Sequence, residues 1–251
     1  MAFDRFGAAG RADGTLENNL LRALRPDDLA MLTPLVQDWS GEAGAPIYEP
    51  GDMVDHVYFP CGHSLASFLV VLEDGRSVET VLVGREGAVG GIVSEGRLPA
   101  FARAVVHVPG PFLRLPIARL EEAKLRSPSL RRLFTRYADC LIAQIFQAVA
   151  CNAVHTIEQR AAKWLLAARD RTGSDEIAVS QEELAAMLGV GRSYVSRVMG
   201  ALRATGAVES GRRRLRIADD AALERLSCGC NGAVRSHFDR VLAGVYPHED
   251  D

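Results

Sequence analysis

The chain has 251 residues, 48% hydrophobic and 24% charged, with a formal net charge of −3. That is room for one large or two ordinary domains with an ample core. No run approaches eighteen consecutive apolar residues, so nothing reads as a membrane span. Five cysteines (Cys61, Cys140, Cys151, Cys228 and Cys230) form an odd set without a visible secretory signal, which predicts reduced thiols in a cytoplasm.

Residues 1–15 are polar and rich in Gly and Ala and are expected to be a disordered lead-in. Leu20, Leu21 and Leu24, then Leu29, Leu32, Leu35 and Val36, have helical periodicity. Pro26-Asp27-Asp28 starts the second of two short entry helices, with Pro and acids in its first turn. From Pro46 to Leu115 turn markers recur, among them Pro50-Gly51-Asp52, Cys61-Gly62, Asp74-Gly75 and Gly90-Gly91. Short β-prone runs lie between them, which predicts an antiparallel sandwich or roll. Asp74-Gly75 is a strong hairpin signal. The Gly-x-x-Gly spacings between Gly84 and Gly91 read as turns of that roll.

Ile117 to Leu125 predicts a short helix. Ser127-Pro128 supplies an N-cap and a proline at the first position of a long helix that runs to Val154 without internal Gly or Pro. Leu130, Phe134, Tyr137, Leu141, Gln144, Ala148 and Cys151 follow alternating four- and three-residue steps, a heptad seam expected to pair with a second copy. A second apolar stripe of Leu133, Ile142, Ile145, Phe146 and Val149 is expected to pack on the β-roll. A helix buried inside a monomer is the alternative.

Thr156-x-x-Gln159 is a capping box that opens a new helix, so His155-Thr156 is expected to be a hinge. A second box, Ser180-x-x-Glu183, opens the stretch Gln181 to Met199. Leu184, Leu188, Val190, Val195 and Val198 give its apolar pattern, and Gly189 falls where a turn needs a residue tolerant of positive φ. This predicts a helix-turn-helix, with an ordinary helical hairpin as the bland alternative. Two β-like runs around Ser210-Gly211 read as a wing. From Arg192 to Arg216 there are seven arginines and one acid, and residues 156–217 hold eleven Lys/Arg against seven Asp/Glu, +4 on a chain of −3. A basic island on an acidic protein is the footprint of a phosphate-backbone reader. Asp219-Asp220 caps a further helix. The tail from Asn231 to Tyr246 reads helical, with Val234, Phe238 and Val241-Leu242 on one face. Cys228-Gly229-Cys230 is expected to be two surface thiols at a helix end, with His237 the nearest candidate for a metal partner.

Entry helices, a glycine-punctuated β-roll, a long helix, a hinge and a winged helix-turn-helix together resemble the Crp/Fnr superfamily of bacterial transcription regulators over residues 16–217. The sharpest match is Arg192-Ser193-Tyr194-Val195-Ser196-Arg197, similar to the segment that opens the family's recognition helix, with Ser193 where the family often has glutamate. Tyr48 to Asp52 and Val57 to Pro60 also resemble the first turn of the family's roll. The resemblance implies an α+β fold: an N-terminal antiparallel roll (16–127), a dimerisation helix (128–155) and a C-terminal winged helix-turn-helix (156–251). It implies a cytoplasmic, homodimeric, sequence-specific DNA-binding regulator that meets RNA polymerase. Ser180, Gln181, Arg192, Ser193, Tyr194, Ser196, Arg197, Arg212, Arg213 and Arg214 are the expected DNA contacts. The family's cyclic AMP signature does not carry over: Gly87-Ala88-Val89-Gly90 lacks the ribose-binding glutamate, the Arg-Ser clamp is missing near Arg97-Leu98, and Ile145-Phe146 replaces the polar pair. The N-terminal cysteine cluster of iron–sulfur members is absent, and His63 and His107 are scattered. No cofactor, metal or catalytic residue is therefore expected, and the effector is left unknown. A binding module with a vestigial helix-turn-helix is the alternative. An enzyme lacks support, since there is no nucleophile motif, H-E-x-x-H or Walker loop.

Overall fold

The computed structural model describes residues 17–93, 96–211 and 213–243; the expected lead-in lies outside them. Two short helices, α1 (Asn19–Arg22) and α2 (Pro26–Leu32), precede seven strands: β1 (Gln37–Gly41), β2 (Pro46–Tyr48), β3 (His56–Pro60), β4 (Leu65–Val71), β5 (Ser77–Val83), β6 (Arg103–Val108) and β7 (Gly110–Pro116). They form two antiparallel sheets, ordered β1-β7-β3 and β2-β6-β4-β5. This is the expected roll. The Asp74-Gly75 turn joins β4 to β5 with Gly75 at φ 81°, a conformation that costs glycine little. The Asp74 carboxylate accepts from the Arg76 backbone N–H at 3.0 Å and fixes the turn. β1 has no sequence signal because Gln-Asp-Trp-Ser-Gly lacks both β-branched residues and alternation.

Helix α3 (Ile117–Arg126) leads to α4 (Pro128–Val154), whose N-cap Ser127 accepts from the Leu130 N–H at 3.2 Å. α4 has two apolar faces, and they lie opposite to the heptad expectation. Leu130, Phe134, Tyr137, Leu141, Gln144 and Cys151 are all buried within one chain, and Ala148 is half-buried. In this structure they face the chain's own core rather than outward, against the heptad expectation. Ile142, Ile145, Phe146 and Val149, the stripe expected on the roll, are 38%, 41%, 70% and 66% exposed; only Leu133 of that set is buried. Polar groups decide the orientation. The Tyr137 hydroxyl donates to the Ala88 carbonyl at 3.0 Å and accepts from the Ala88 N–H at 2.8 Å. The Gln144 amide donates to the Leu82 carbonyl at 3.1 Å. Buried donors need partners; the roll's backbone supplies them for the Tyr137 hydroxyl and the Gln144 N–H, while Gln144 Oε1 is left without one. The C-terminal helix α9 (Cys230–Val241) covers more of the same face, with Phe238 edge-on to Tyr137 at 6.3 Å. α4 is long and apolar enough to cross a membrane by length and hydropathy alone, at mean hydropathy 1.3. Its inner face instead belongs to the core.

Helix α5 (Ile157–Thr172) starts at the expected capping box: the Gln159 N–H donates to the Thr156 hydroxyl at 3.3 Å, and the Thr156 N–H to Gln159 Oε1 at 3.1 Å. His155 and Thr156 are extended between α4 and α5. α5 centres a second core, where Trp164, Leu165 and Ala168 meet Leu184, Val195, Met199 and Leu215. This half is tied to the roll by polar contacts. Trp164 Nε1–H and the Ser67 hydroxyl donate to the two oxygens of half-buried Glu79 at 2.8 and 2.7 Å. Arg171 donates to the Leu82 carbonyl at 3.1 Å and pairs with Glu86 at 3.0 Å.

His107 lies edge-on to Trp164 at 5.3 Å, and its buried Nε2 has no hydrogen-bond partner. Burial pushes its imidazole down from 6.5 to about 4, since desolvation disfavours the cation. The unfolded chain therefore binds the extra proton between those values, and stability rises with pH across that window. The contribution is full above pH 6.5 and gone below about 4. It amounts to roughly 3 kcal/mol. Urea titrations should show the stability difference between the natural chain and His107→Leu falling by that amount from neutral pH to about pH 4; a pH-independent difference would contradict the buried neutral imidazole.

Candidate nucleic-acid interface

β8 (Glu176–Ile177), α6 (Gln181–Leu188), α7 (Arg192–Ala204), β9 (Val208–Gly211), β10 (Arg214–Ile217) and α8 (Asp220–Leu226) make the C-terminal unit, with a small sheet ordered β8-β10-β9. The Ser180 box closes as expected: the Glu183 N–H donates to Ser180 Oγ at 3.2 Å, and the Ser180 N–H to Glu183 Oε2 at 2.7 Å. Gly189 ends α6 at φ 71°, and the Val190 N–H reaches back to the Ala185 carbonyl at 3.0 Å. The chain then turns through Gly191 into α7.

Val195, Val198, Met199 and Leu202 bury one face of α7. Arg192, Ser193, Ser196 and Arg197 are exposed together on the other, toward the N-terminal end. No acid lies in the first turn and no side chain caps it. Its free N–H groups and partial positive charge thus add to Arg192 and favour anions. Tyr194 is half-buried beside them. Its hydroxyl donates to Glu158 on α5 at 3.2 Å, and the Arg197 guanidinium lies 5.0 Å over its ring. Glu158 thus orients two expected contact residues from a distant helix, which no local motif announces. Its carboxyl is held below the usual range, first by its own backbone N–H at the helix start and also by Thr156 and Tyr194.

Ser180 and Gln181 are half-buried, and the Ser180 hydroxyl and N–H are both used by the capping box. The wing forms, but its turn lies later than the Ser210-Gly211 expectation. Gly211 pairs with Arg214, and Arg213 takes φ 57°. Arg213 pairs with Glu183 at 3.3 Å, Arg214 with Glu176, and Arg216 with Glu209 at 2.9 Å. These exposed pairs are weak and readily exchanged for phosphate. Arg212 lies outside the described residues.

Cys228 and Cys230 are not the expected surface thiols. Both are buried and packed with Cys151, and His237 instead pairs with Asp139. Cys61 and Cys140 are buried elsewhere, and burial pushes each thiol up to about 12. His63 meets the Thr172 carbonyl.

Residues 159–226 match the family model of the Crp-like helix-turn-helix domain. The whole fold is that of the Crp/Fnr regulators. FixK2 from Bradyrhizobium japonicum superposes with a TM-score of 0.67 at 18% identity, over 77% of this chain and 98% of that one. A CRP-family transcriptional regulator from Thermus thermophilus gives 0.60 at 24% identity, over 78% and 96%. The chain thus has the architecture of a Crp/Fnr-type transcription regulator with a Crp-like helix-turn-helix domain. Among curated relatives it is 24% identical to the global nitrogen regulator of Nostoc sp. over 84% of this chain and 97% of the relative, and 24% identical to that of Synechococcus elongatus over 83% and 97%.

Gly189 carries the left-handed turn between α6 and α7. A Cβ there would be held at positive φ and lie 3.3 Å from Val78. Gly189→Ala should therefore cost about 1–2 kcal/mol in urea unfolding, and Gly189→Asn less. Equal stability of all three chains would contradict the left-handed turn.

Proposed function

We propose that the protein is a homodimeric, sequence-specific DNA-binding transcription regulator, acting in the cytoplasm on a pseudo-palindromic site. The observation that carries this reading is α7: one face fully buried, and Arg192, Ser193, Ser196 and Arg197 exposed together at its N-terminal end. Such an end enters the major groove. Arg192 and Arg197 fit guanine O6 and N7, while the two serines donate or accept. Tyr194, held by Glu158, reaches a phosphate or a thymine methyl. The wing arginines 212–214, with Ser180 and Gln181, position the unit on the backbone.

In this reading residues 16–127 are the sensor unit, 128–155 the dimerisation helix and 156–251 the DNA-binding unit, with the hinge at His155-Thr156. The outer stripe of α4 supports the dimer: Ile142, Ile145, Phe146 and Val149 form an exposed apolar row of the kind that marks an association surface. Paired two-fold along α4, two copies would present α7 to successive major grooves about 34 Å apart. RNA polymerase is the expected downstream partner.

Cyclic AMP is not the effector in this reading. Ala88 is fully buried and both its backbone groups are taken by Tyr137. Arg97 and Arg103 sit in exposed pairs with Asp55 and Glu49, the latter at 2.6 Å, so neither stands as a buried cation for a phosphate. An anionic phosphate buried without a cation is strongly disfavoured.

Selection from a random DNA pool, followed by salt titrations on the selected site and a scrambled duplex, tests the reading. Arg197→Ala should lose roughly 1–3 kcal/mol per half-site on the selected site alone and relax preference at one symmetric pair of positions. Arg213→Ala should weaken both duplexes and lower the salt slope by about 0.9 for each phosphate left unneutralised in each half-site. Curves with millimolar cyclic AMP should superimpose on those without. No selected sequence, or equal losses on both duplexes for Arg197→Ala, would contradict base reading by α7; a tighter curve with cyclic AMP would contradict the effector reading.

A further inference from the structure

Cys151, His155, Cys228 and Cys230 converge from two distant parts of the chain. Their ligand atoms all lie within 4.8 Å of one another. Cys151 and His155 are four residues apart, so they share one side of the last turn of α4. Cys228 and Cys230 flank Gly229 where the link from α8 enters α9. We propose that these four residues are a closed tetrahedral site for a single Zn²⁺-type cation, and that the bound ion clamps α9 to the junction of α4 and α5.

The distances favour one ion. Zinc–sulfur bonds of about 2.3 Å and zinc–nitrogen bonds of about 2.0 Å in a tetrahedron place sulfur atoms roughly 3.8 Å apart and sulfur and nitrogen roughly 3.5 Å apart. Cys151 Sγ and Cys228 Sγ are 3.7 Å apart, and Cys230 Sγ is 3.6 Å from His155 Nδ1. The donor set is the Cys₃His type that selects zinc over oxygen-seeking cations. A multinuclear iron–sulfur cluster would need its ligands spread around a larger core. Three buried cysteines and a half-buried histidine make the site closed, as structural rather than catalytic zinc requires.

The surroundings are those of a metal centre. Gln147 Nε2 donates to Cys230 Sγ at 3.1 Å, an outer hydrogen bond of the kind that orients a thiolate ligand. Three thiolates and a neutral imidazole around a dication leave one negative charge. Lys163 and Arg160 line the same cavity as Cys230 and supply the compensating field. Arg160 also donates to the Leu188 carbonyl at 3.0 Å, at the end of the first helix of the helix-turn-helix. His155 itself lies in the two-residue link between α4 and α5. An ion there would join three segments: the end of the long helix, the start of the DNA-binding unit and α9, which covers Tyr137.

Metal-free full-length protein, kept reduced, is titrated with Co²⁺ as a spectroscopic stand-in and then with Zn²⁺. The visible bands of tetrahedral cobalt–thiolate should saturate at one ion per chain and vanish on adding Zn²⁺. Cys228→Ser with Cys230→Ser should abolish them. His155→Ala, at a half-exposed helix end and so least disruptive of folding, should weaken binding by at least roughly 100-fold, and Gln147→Leu by roughly 10–100-fold. Cys61→Ser and Cys140→Ser should bind as the natural chain does. Amide exchange at 151–158 and 226–231 should slow when Zn²⁺ is bound. Absence of saturable bands, bands that survive the double serine variant, iron–sulfur absorption in the purified protein, or a Cys151–Cys228 disulfide in place of metal would overturn the site; unchanged exchange with zinc bound would overturn the clamp. None of these readouts involves DNA, so this proposal and the regulatory one fail separately.

Discussion

The hydroxyl of Tyr137 takes both backbone groups of Ala88, and this pair of hydrogen bonds fixes how α4 lies on the roll. A tyrosine hydroxyl and a peptide unit buried together must satisfy each other, because leaving either unpaired costs about 1–3 kcal/mol. Once Tyr137 is held, Leu130, Phe134 and Leu141 follow it into the core on the same side. Gln144 reaches Leu82, and the opposite stripe is left outside. The same contact seals the glycine-rich segment: a Cβ on Gly87 would run into the Tyr137 ring and hydroxyl. One side chain therefore sets the outer face of the long helix and packs against the Gly87-Ala88 segment.

Short-range signals carried much of this architecture. Ser180 with Glu183, Thr156 with Gln159, Ser127 with Pro128, and Gly189 each act within a turn of helix, and each is found in the expected geometry. The two faces of α4 were not legible. Both stripes are apolar and both fit a helical repeat, so periodicity cannot say which one meets the roll. The deciding groups, the Ala88 backbone and α9, are 49 and about 100 residues away from Tyr137. The wing turn shifted because Arg213, not glycine, takes the positive φ. Glu158 and the Cys151–His155–Cys228–Cys230 cluster were invisible for one reason: their partners are 36 to 77 residues apart and meet only in the folded chain.

Electrostatics temper the basic island seen in the sequence. Arg213, Arg214 and Arg216 are each paired with a carboxylate, while Arg197 lies over Tyr194. The wing thus holds its charge in exposed pairs, and α7 keeps Arg192, Ser193, Ser196 and Arg197 together on its exposed face. The Glu79 carboxylate, shared by Ser67 and Trp164, and the Arg171–Glu86 pair hold the DNA-binding unit against the roll in this conformation. A shift of that unit relative to the roll would have to break these contacts.

The orientation of α4 is tested most directly by cysteine cross-linking in solution. A cysteine replacing Phe146 faces outward at 70% exposure, whereas one replacing Leu133 is buried against the roll. Under mild oxidation the Phe146→Cys chain is expected to give an interchain disulfide dimer in high yield at dilute protein, and Leu133→Cys none. Cross-linking at 133 with none at 146 would contradict the packing of α4.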